Sequence, residues 1–303
     1  MSDFISEFWS YYVAIIALVG IFACALLLYI NAKKKPLTEV ESTGHVWDEV
    51  LREMNNPLPL WWVGLFVISI VFGLCYLVLY PGLGANTGVL NWSSTSEYEG
   101  EVQSTNAALA PIYARFDALS IPELAKDPQA KAVGNRLFMN NCSQCHGSDA
   151  QGSKGFPNLT DHDWLHGGEP DNIVQTITQG RIGQMPPMAA ALGSSQDVGN
   201  VAQYVLSLSG APHDADKAHA GQAKFAVCAA CHGPDGKGNV VIGSANLTDK
   251  IWLHGVGAQA IEAMINLGKV NQMPAQEGRL TPAQIHVLAA YVWGLSNNSP
   301  QAQ

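Results

Sequence analysis

Two long apolar runs open the chain, and a polar region that repeats itself follows them. Residues 8–32 carry no charged side chain, and Tyr11 to Ile30 is almost wholly apolar. Twenty helical residues reach about 30 Å, the thickness of a bilayer core. Residues 54–96 form a second uncharged stretch with its apolar centre at Leu60 to Tyr80. Trp61 and Trp62 stand at one end and Tyr80 at the other, where interfacial aromatics belong, and Pro81-Gly82 ends the helix. The pattern predicts a membrane anchor over 1–96, with transmembrane helices at about 11–30 and 60–80.

A cleaved signal peptide has positive charge before its apolar run. Here Asp3 and Glu7 come before the first run and Lys33, Lys34 and Lys35 come after it, so the first span reads as an uncleaved anchor. The connecting loop holds those lysines and Arg52, while neither outer flank has Lys or Arg. The asymmetry predicts a cytoplasmic loop with both ends outside.

From Glu97 the composition changes. Residues 97–127 read as a polar linker, with Pro111 and Pro122 as breaks. Beyond it the chain is duplicated. Cys142-Ser143-Gln144-Cys145-His146-Gly147, Asn158-Leu159-Thr160-Asp161, Trp164-Leu165-His166-Gly167 and Gln184-Met185-Pro186 come first. Cys228-Ala229-Ala230-Cys231-His232-Gly233, Asn246-Leu247-Thr248-Asp249, Trp252-Leu253-His254-Gly255 and Gln272-Met273-Pro274 follow in the same order. Such order implies two domains, 128–210 and 211–303, divided at Gly210-Ala211-Pro212. Each reads as mostly helical. A helix before each cysteine pair carries Gly134 and Phe138, or Gly221 and Phe225, on one face. A last helix follows each methionine, and a glycine against an aromatic permits a close crossing. The fold class expected is mainly α: two N-terminal transmembrane helices, then two tandem cytochrome c-type helical domains.

The spacing C-x-x-C-H carries the chemistry. Two thiols three residues apart can add to the two vinyl groups of one heme, and the next residue can ligate its iron. Two such motifs predict two covalently bound hemes c, held by Cys142 and Cys145 and by Cys228 and Cys231, with His146 and His232 as iron ligands. A structural zinc site wants four ligands, and each domain offers one cysteine pair. A thioredoxin-like pair would need a βαβ setting. Cys24 and Cys75 lie alone in apolar runs and read as inert thiols. Met185 and Met273 align between the copies and are the expected sixth ligands, paired as His146/Met185 and His232/Met273. Met188 competes with Met185 in the same loop. His166 and His254 also align and could be distal ligands; bonding to backbone or a heme propionate is the reading preferred for them. Met/His ligation closes the iron and suits electron transfer, so no catalytic residue is expected.

Composition sharpens this picture at few points. Charged residues make up 14 % of the chain, fewer than soluble proteins carry. The formal net charge is -9 and no basic stripe is present, which excludes nucleic acid as a partner. Residues 97–303 hold 18 acidic and 12 basic side chains, which permits a basic donor cytochrome.

The N-terminal part narrows the family. Gly44-His45-Val46-Trp47-Asp48, Asn55-Asn56-Pro57-Leu58-Pro59 leading into Trp61-Trp62, and Tyr80-Pro81-Gly82 resemble the diheme subunit of cbb3-type cytochrome c oxidases. Gly180-Arg181-Ile182-Gly183-Gln184-Met185-Pro186 and Asn271-Gln272-Met273-Pro274 fit the same family. The resemblance implies an electron-transfer subunit of a proton-translocating oxidase complex, not an enzyme by itself. It would pass electrons to a monoheme cytochrome c subunit and on to the oxygen-reducing heme-copper subunit. Its place would be the bacterial inner membrane, multi-pass, with the heme domains in the periplasm and lipid around the spans. Many relatives have one span. The first span here would dock a further small single-helix subunit or add anchoring only. A stand-alone membrane diheme shuttle, or the cytochrome partner of a dehydrogenase, is the alternative. A diheme peroxidase would need an open iron position.

Overall fold

The structure is a computed structural model and describes residues 6–33 and 42–297. Lys34 and Lys35 of the expected cytoplasmic charge cluster lie outside the described residues. The chain forms two units, 1–108 and 109–303.

The first unit contains two helices long and apolar enough to cross a membrane: α1, Glu7–Asn31, and α2, Leu60–Leu79. Neither buries a residue within the protein, as lipid-facing helices need not. Between them Ser42–Trp47 (β1) and Leu51–Met54 (β2) pair as an antiparallel hairpin. Asp48 and Glu49 turn it with φ of 50° and 64°, a region that Asp tolerates better than most residues. Beyond α2 the chain folds back on its end, where Val89 N–H donates to the Val78 carbonyl and Leu90 N–H to that of Leu79. Tyr80 and Trp92 stack edge to face there at 6.0 Å. Ser10 of α1 ties to the same loop: its Oγ accepts from Ala85 N–H at 2.7 Å, and Gly84, with φ +62°, leaves no room for a Cβ against it.

The segment expected as a linker is helical. Ser94–Asp117 is α3, with Pro111 inside it, and Ile121–Leu124 is α4, with Pro122 in its first turn. A proline is tolerated in a first turn and costs a bond in a helix interior. Burial offsets that cost: Ile112, Tyr113 and Phe116, just past Pro111, all pack in a core.

The second unit continues with α5 (Pro128–Asn141), α6 (Ser143–His146), α7 (Pro170–Gln179), β3 (Arg181–Met185), α8 (Ala189–Leu192) and α9 (Ser195–Leu208). The other copy supplies α10 (Ala215–Gln222), α11 (Ala226–His232), α12 (Ala258–Leu267), β4 (Lys269–Met273) and α13 (Pro282–Asn297). Two cores form, and neither is made from one copy alone. The first joins Phe116, Leu124, Phe138, Ile173 and Ile177 to Ile285, Val287 and Leu288 of α13. The second joins Leu192, Val198, Val201 and Leu206 to Phe225, Ile261 and Ile265.

The glycine-on-aromatic crossing therefore occurs between copies. Gly134 meets Tyr291, and Phe138 lies 5.6 Å from the Tyr291 ring. Gly221 meets the backbone of Asn200, and Phe225 lies 5.2 Å from Tyr204. Each last helix has left its own copy for the other. The chain crosses over at Gly180 and again at Gly268, which cap α7 and α12 with φ of 71° and 67°. A Cβ on either would strike backbone: that of Met273 to Ala275 at Gly180, and that of Met185 and Pro187 at Gly268. Glycine is required at both by conformation and by space. The crossing strands β3 and β4 then pair antiparallel, Arg181 opposite Met273 and Met185 opposite Lys269.

Candidate functional site

Each C-x-x-C-H motif sits at a helix end. Cys142 caps α5, and α6 carries the rest of its motif to His146. In the second copy α11 carries Cys228, Cys231 and His232. Gly147 and Gly233 follow with φ of 81° and 78° and turn the chain away. The two histidines are held alike. His146 Nδ1 bonds the Pro157 carbonyl at 3.0 Å, and His232 Nδ1 bonds that of Ala245 at 2.9 Å. A carbonyl can only accept, so Nδ1 carries the proton and Nε2 is left as a bare donor of electrons. That is how proteins orient a ligating imidazole.

Around each motif the side chains are those of a heme pocket. Cys142, Leu159, Trp164 and Met273 pack on the first core. Cys228, Leu247, Trp252 and Met185 pack on the second, with Met188 beside them. Each methionine thus shares a core with the cysteine of the other copy. The sequence paired His146 with Met185 and His232 with Met273; the packing brings Met273 to the first motif's core and Met185 to the second's. The cause is the crossover at Gly180 and Gly268, since everything after each glycine, methionine included, moves together. Met188 stays close to Met185 and donates its N–H to the Ile265 carbonyl.

The thiols and carboxyls bear the mark of burial. Burial, then the neighbouring Cys145, pushes the Cys142 thiol up to about 11, and burial, then Cys231, raises Cys228. Burial raises Asp161 and Asp163, and Asp249 of the other copy raises both further.

The Trp-Leu-His-Gly loops also reach across. The Leu253 carbonyl accepts from Gly155 N–H at 2.8 Å. His254 Nε2 is 2.9 Å from Asn271 Nδ2. The His166 ring packs on Gly243, where a Cβ would collide with it, and His166 Nδ1 is buried without a partner. Burial lowers both histidines, followed by Arg181 for His166 and by Lys269 and Lys154 for His254. Sequence reasoning gave Gly180, Gly268 and Asn271 no structural role. The recurrence of glycine before Arg181 and Lys269 was visible, but nothing in it distinguished a cap from a crossover.

The residues present fit a covalently held heme at each motif: two thiols, an imidazole with Nε2 free, an apolar wall and a thioether. Comparison with known proteins identifies the family. Residues 39–87 match the N-terminal domain of cytochrome oxidase-cbb3, FixP. Residues 129–205 and 216–292 each match the family described as cytochrome c oxidase, cbb3-type, subunit III. The chain is 60 % identical over 302 residues to the cbb3-type cytochrome c oxidase subunit CcoP of Rubrivivax gelatinosus, covering 100 % of this chain and 99 % of the relative. It is 42 % identical to the subunit FixP of Sinorhizobium medicae over 274 residues, 84 % of this chain and 94 % of that one. With CcoP of Cereibacter sphaeroides the identity is 38 % over 282 residues, 87 % and 97 %. Two candidate membrane helices, a duplicated C-x-x-C-H domain and these matches along the chain agree: it belongs to the subunit III family of cbb3-type cytochrome c oxidases.

Proposed function

We propose that this chain holds two hemes c in crossed ligand sets, His146 with Met273 and His232 with Met185, and relays electrons within a cbb3-type oxidase. The observation that carries the ligand sets is the exchange of methionines between the two cores. Each bound heme supplies a one-electron iron couple, which Met/His ligation places high. The chain does the rest. Cys142, Cys145, Cys228 and Cys231 fix the cofactors by thioether bonds. The Pro157 and Ala245 carbonyls aim the two imidazoles, and β3 and β4 present the two thioethers from one ribbon. With a histidine and a methionine holding each heme, no ligand position would be left for oxygen, and the subunit works as an electron-transfer part of the complex.

The loop residue Arg52 and the described Lys33 support a cytoplasmic loop, so the second unit lies in the periplasm. Its partners are a monoheme cytochrome c subunit, the heme-copper catalytic subunit and a donor cytochrome c; α1 offers a face for a small single-helix subunit. The oxidase reading is preferred to the stand-alone shuttle because the juxtamembrane segment 39–87 matches the N-terminal domain of cytochrome oxidase-cbb3, FixP.

The test is done on the purified full-length protein. Changing Cys142 and Cys145 to Ala should remove one of two heme masses. In that variant the red sulfur-to-iron band should persist with Met273→Leu and vanish with Met185→Leu, while Met188→Leu leaves it alone. The reverse pattern for Met185 and Met273 would restore ligation within each copy. Failure to co-purify with a heme-copper subunit would return the shuttle reading.

A further inference from the structure

The two methionine strands are not equivalent, and the difference lies at one register position. On the ribbon, Asn271 of β4 stands opposite Gly183 of β3. Arg181, Met185 and Met273 share its less exposed face with these two, while Ile182, Gln184, Val270 and Gln272 turn to solvent. Asn271 is two residues before Met273. Its Nδ2 lies 2.9 Å from His254 Nε2. An amide nitrogen donates and cannot accept, so Nε2 is the acceptor and the ring proton sits on Nδ1. Burial and the cations Lys269 and Lys154 keep His254 in that neutral form.

The bond continues. The carbonyl of Leu253, one residue before His254, accepts from Gly155 N–H at 2.8 Å. Gly155 belongs to the loop whose Pro157 carbonyl holds His146 Nδ1. Three hydrogen bonds therefore run from the Met273 strand, through the Trp-Leu-His-Gly loop, to the support of His146. The Met273 strand and the support of His146 are thus braced against one loop. In the second site Gly183 has no side chain to give, and His166 Nδ1 is left buried and unpaired. The His166 ring rests there against Gly243 and bonds the Val240 backbone instead, which is no part of the Met185 strand.

We propose that Asn271 is a positioning residue that clamps Met273 in place through His254, and that the Met185 site, with Gly183 at the matching position, lacks this clamp. Two aligned sites of the same ligand type thereby differ in how firmly the thioether is held. The inference rests on Met185 and Met273 being ligands, but not on which histidine each one faces.

The experiment uses the full-length protein in detergent and imidazole as a competing ligand. The sulfur-to-iron band is followed in a Met185→Leu background, where only Met273 contributes, and in a Met273→Leu background, where only Met185 does. Loss of one neutral hydrogen bond should lower the imidazole needed to displace Met273 about fivefold. Asn271→Ala and His254→Phe should each give that drop, and the double variant should give no more than either. In the Met273→Leu background the same changes should leave the Met185 band where it was. A fall in both backgrounds would show general loosening and overturn the clamp, as would no fall in either. Absence of any band in a background before imidazole is added would instead remove that methionine as a ligand, a failure of the earlier reading and distinguishable from failure of the clamp.

Discussion

Replacing Gly134 by alanine tests the exchange of helices with a single methyl group. The new Cβ would lie 2.5 Å from Tyr291 Cβ, 3.1 Å from its Cγ and 3.3 Å from the Val287 carbonyl oxygen. Carbon atoms rest at about 3.5–4.0 Å, so α5 and α13 must part by roughly 1 Å. Overpacking of this kind costs about 1–3 kcal/mol. The helical preference of alanine over glycine returns about 1 kcal/mol, so the single variant alone is a weak test. The pair is decisive. Tyr291→Gly removes the obstructing Cβ, so the two changes together should couple by about 1–3 kcal/mol. Gly134→Ala combined with Tyr204→Gly should be additive within about 0.5 kcal/mol, because those residues share no contact across the exchanged cores. The assay is guanidinium unfolding of the full-length protein, read at the sulfur-to-iron band. Coupling to Tyr204 and none to Tyr291 would refute the exchange.

Two further expectations follow from local geometry. Asp127 caps α5 by accepting from Ala130 N–H at 2.8 Å and pairs with Arg115 at 2.8 Å. The Arg115 bond, then the Ala130 N–H, holds its carboxyl below the usual range. Asp127→Ala should therefore cost about 1 kcal/mol. A depressed carboxyl stabilises above its unfolded pKa and loses that contribution as pH falls through its folded one. The gap to wild type should be full above pH of about 4 and close below it; a gap constant down to pH 2 would exclude this role. For topology, protease added to spheroplasts should release a soluble heme-stained fragment, and release from inverted vesicles alone would reverse the orientation.

Much of this was legible because it rests on short-range chemistry. The C-x-x-C-H spacing and the uncharged runs are each read within a short stretch of chain, whereas the aligned methionines are recognised only by the repeat. The prolines misled, since Pro111 reads as a break until the burial of Phe116 is known. The exchange was hidden for a different reason. A repeat says which segments are alike, not which of two identical partners each will choose. One clue was present: α9 and α10 are joined by only 209–214, and helices so closely linked are commonly neighbours. Such packing puts Asn200 against Gly221 and Tyr204 against Phe225, and leaves α5 to find its partner elsewhere.

That distant partner shapes how the protein is made. The second core is built from residues 192–265, a continuous stretch. The first must wait for α13, whose Tyr291 hydroxyl donates to Asn135 across 156 positions of chain. Closing a loop of that length is slow compared with joining near neighbours. If the second unit is exported as proposed, the motif at Cys142 would emerge before α13 and be enclosed by it, so its thiols would stay open to heme attachment while the second core is already forming.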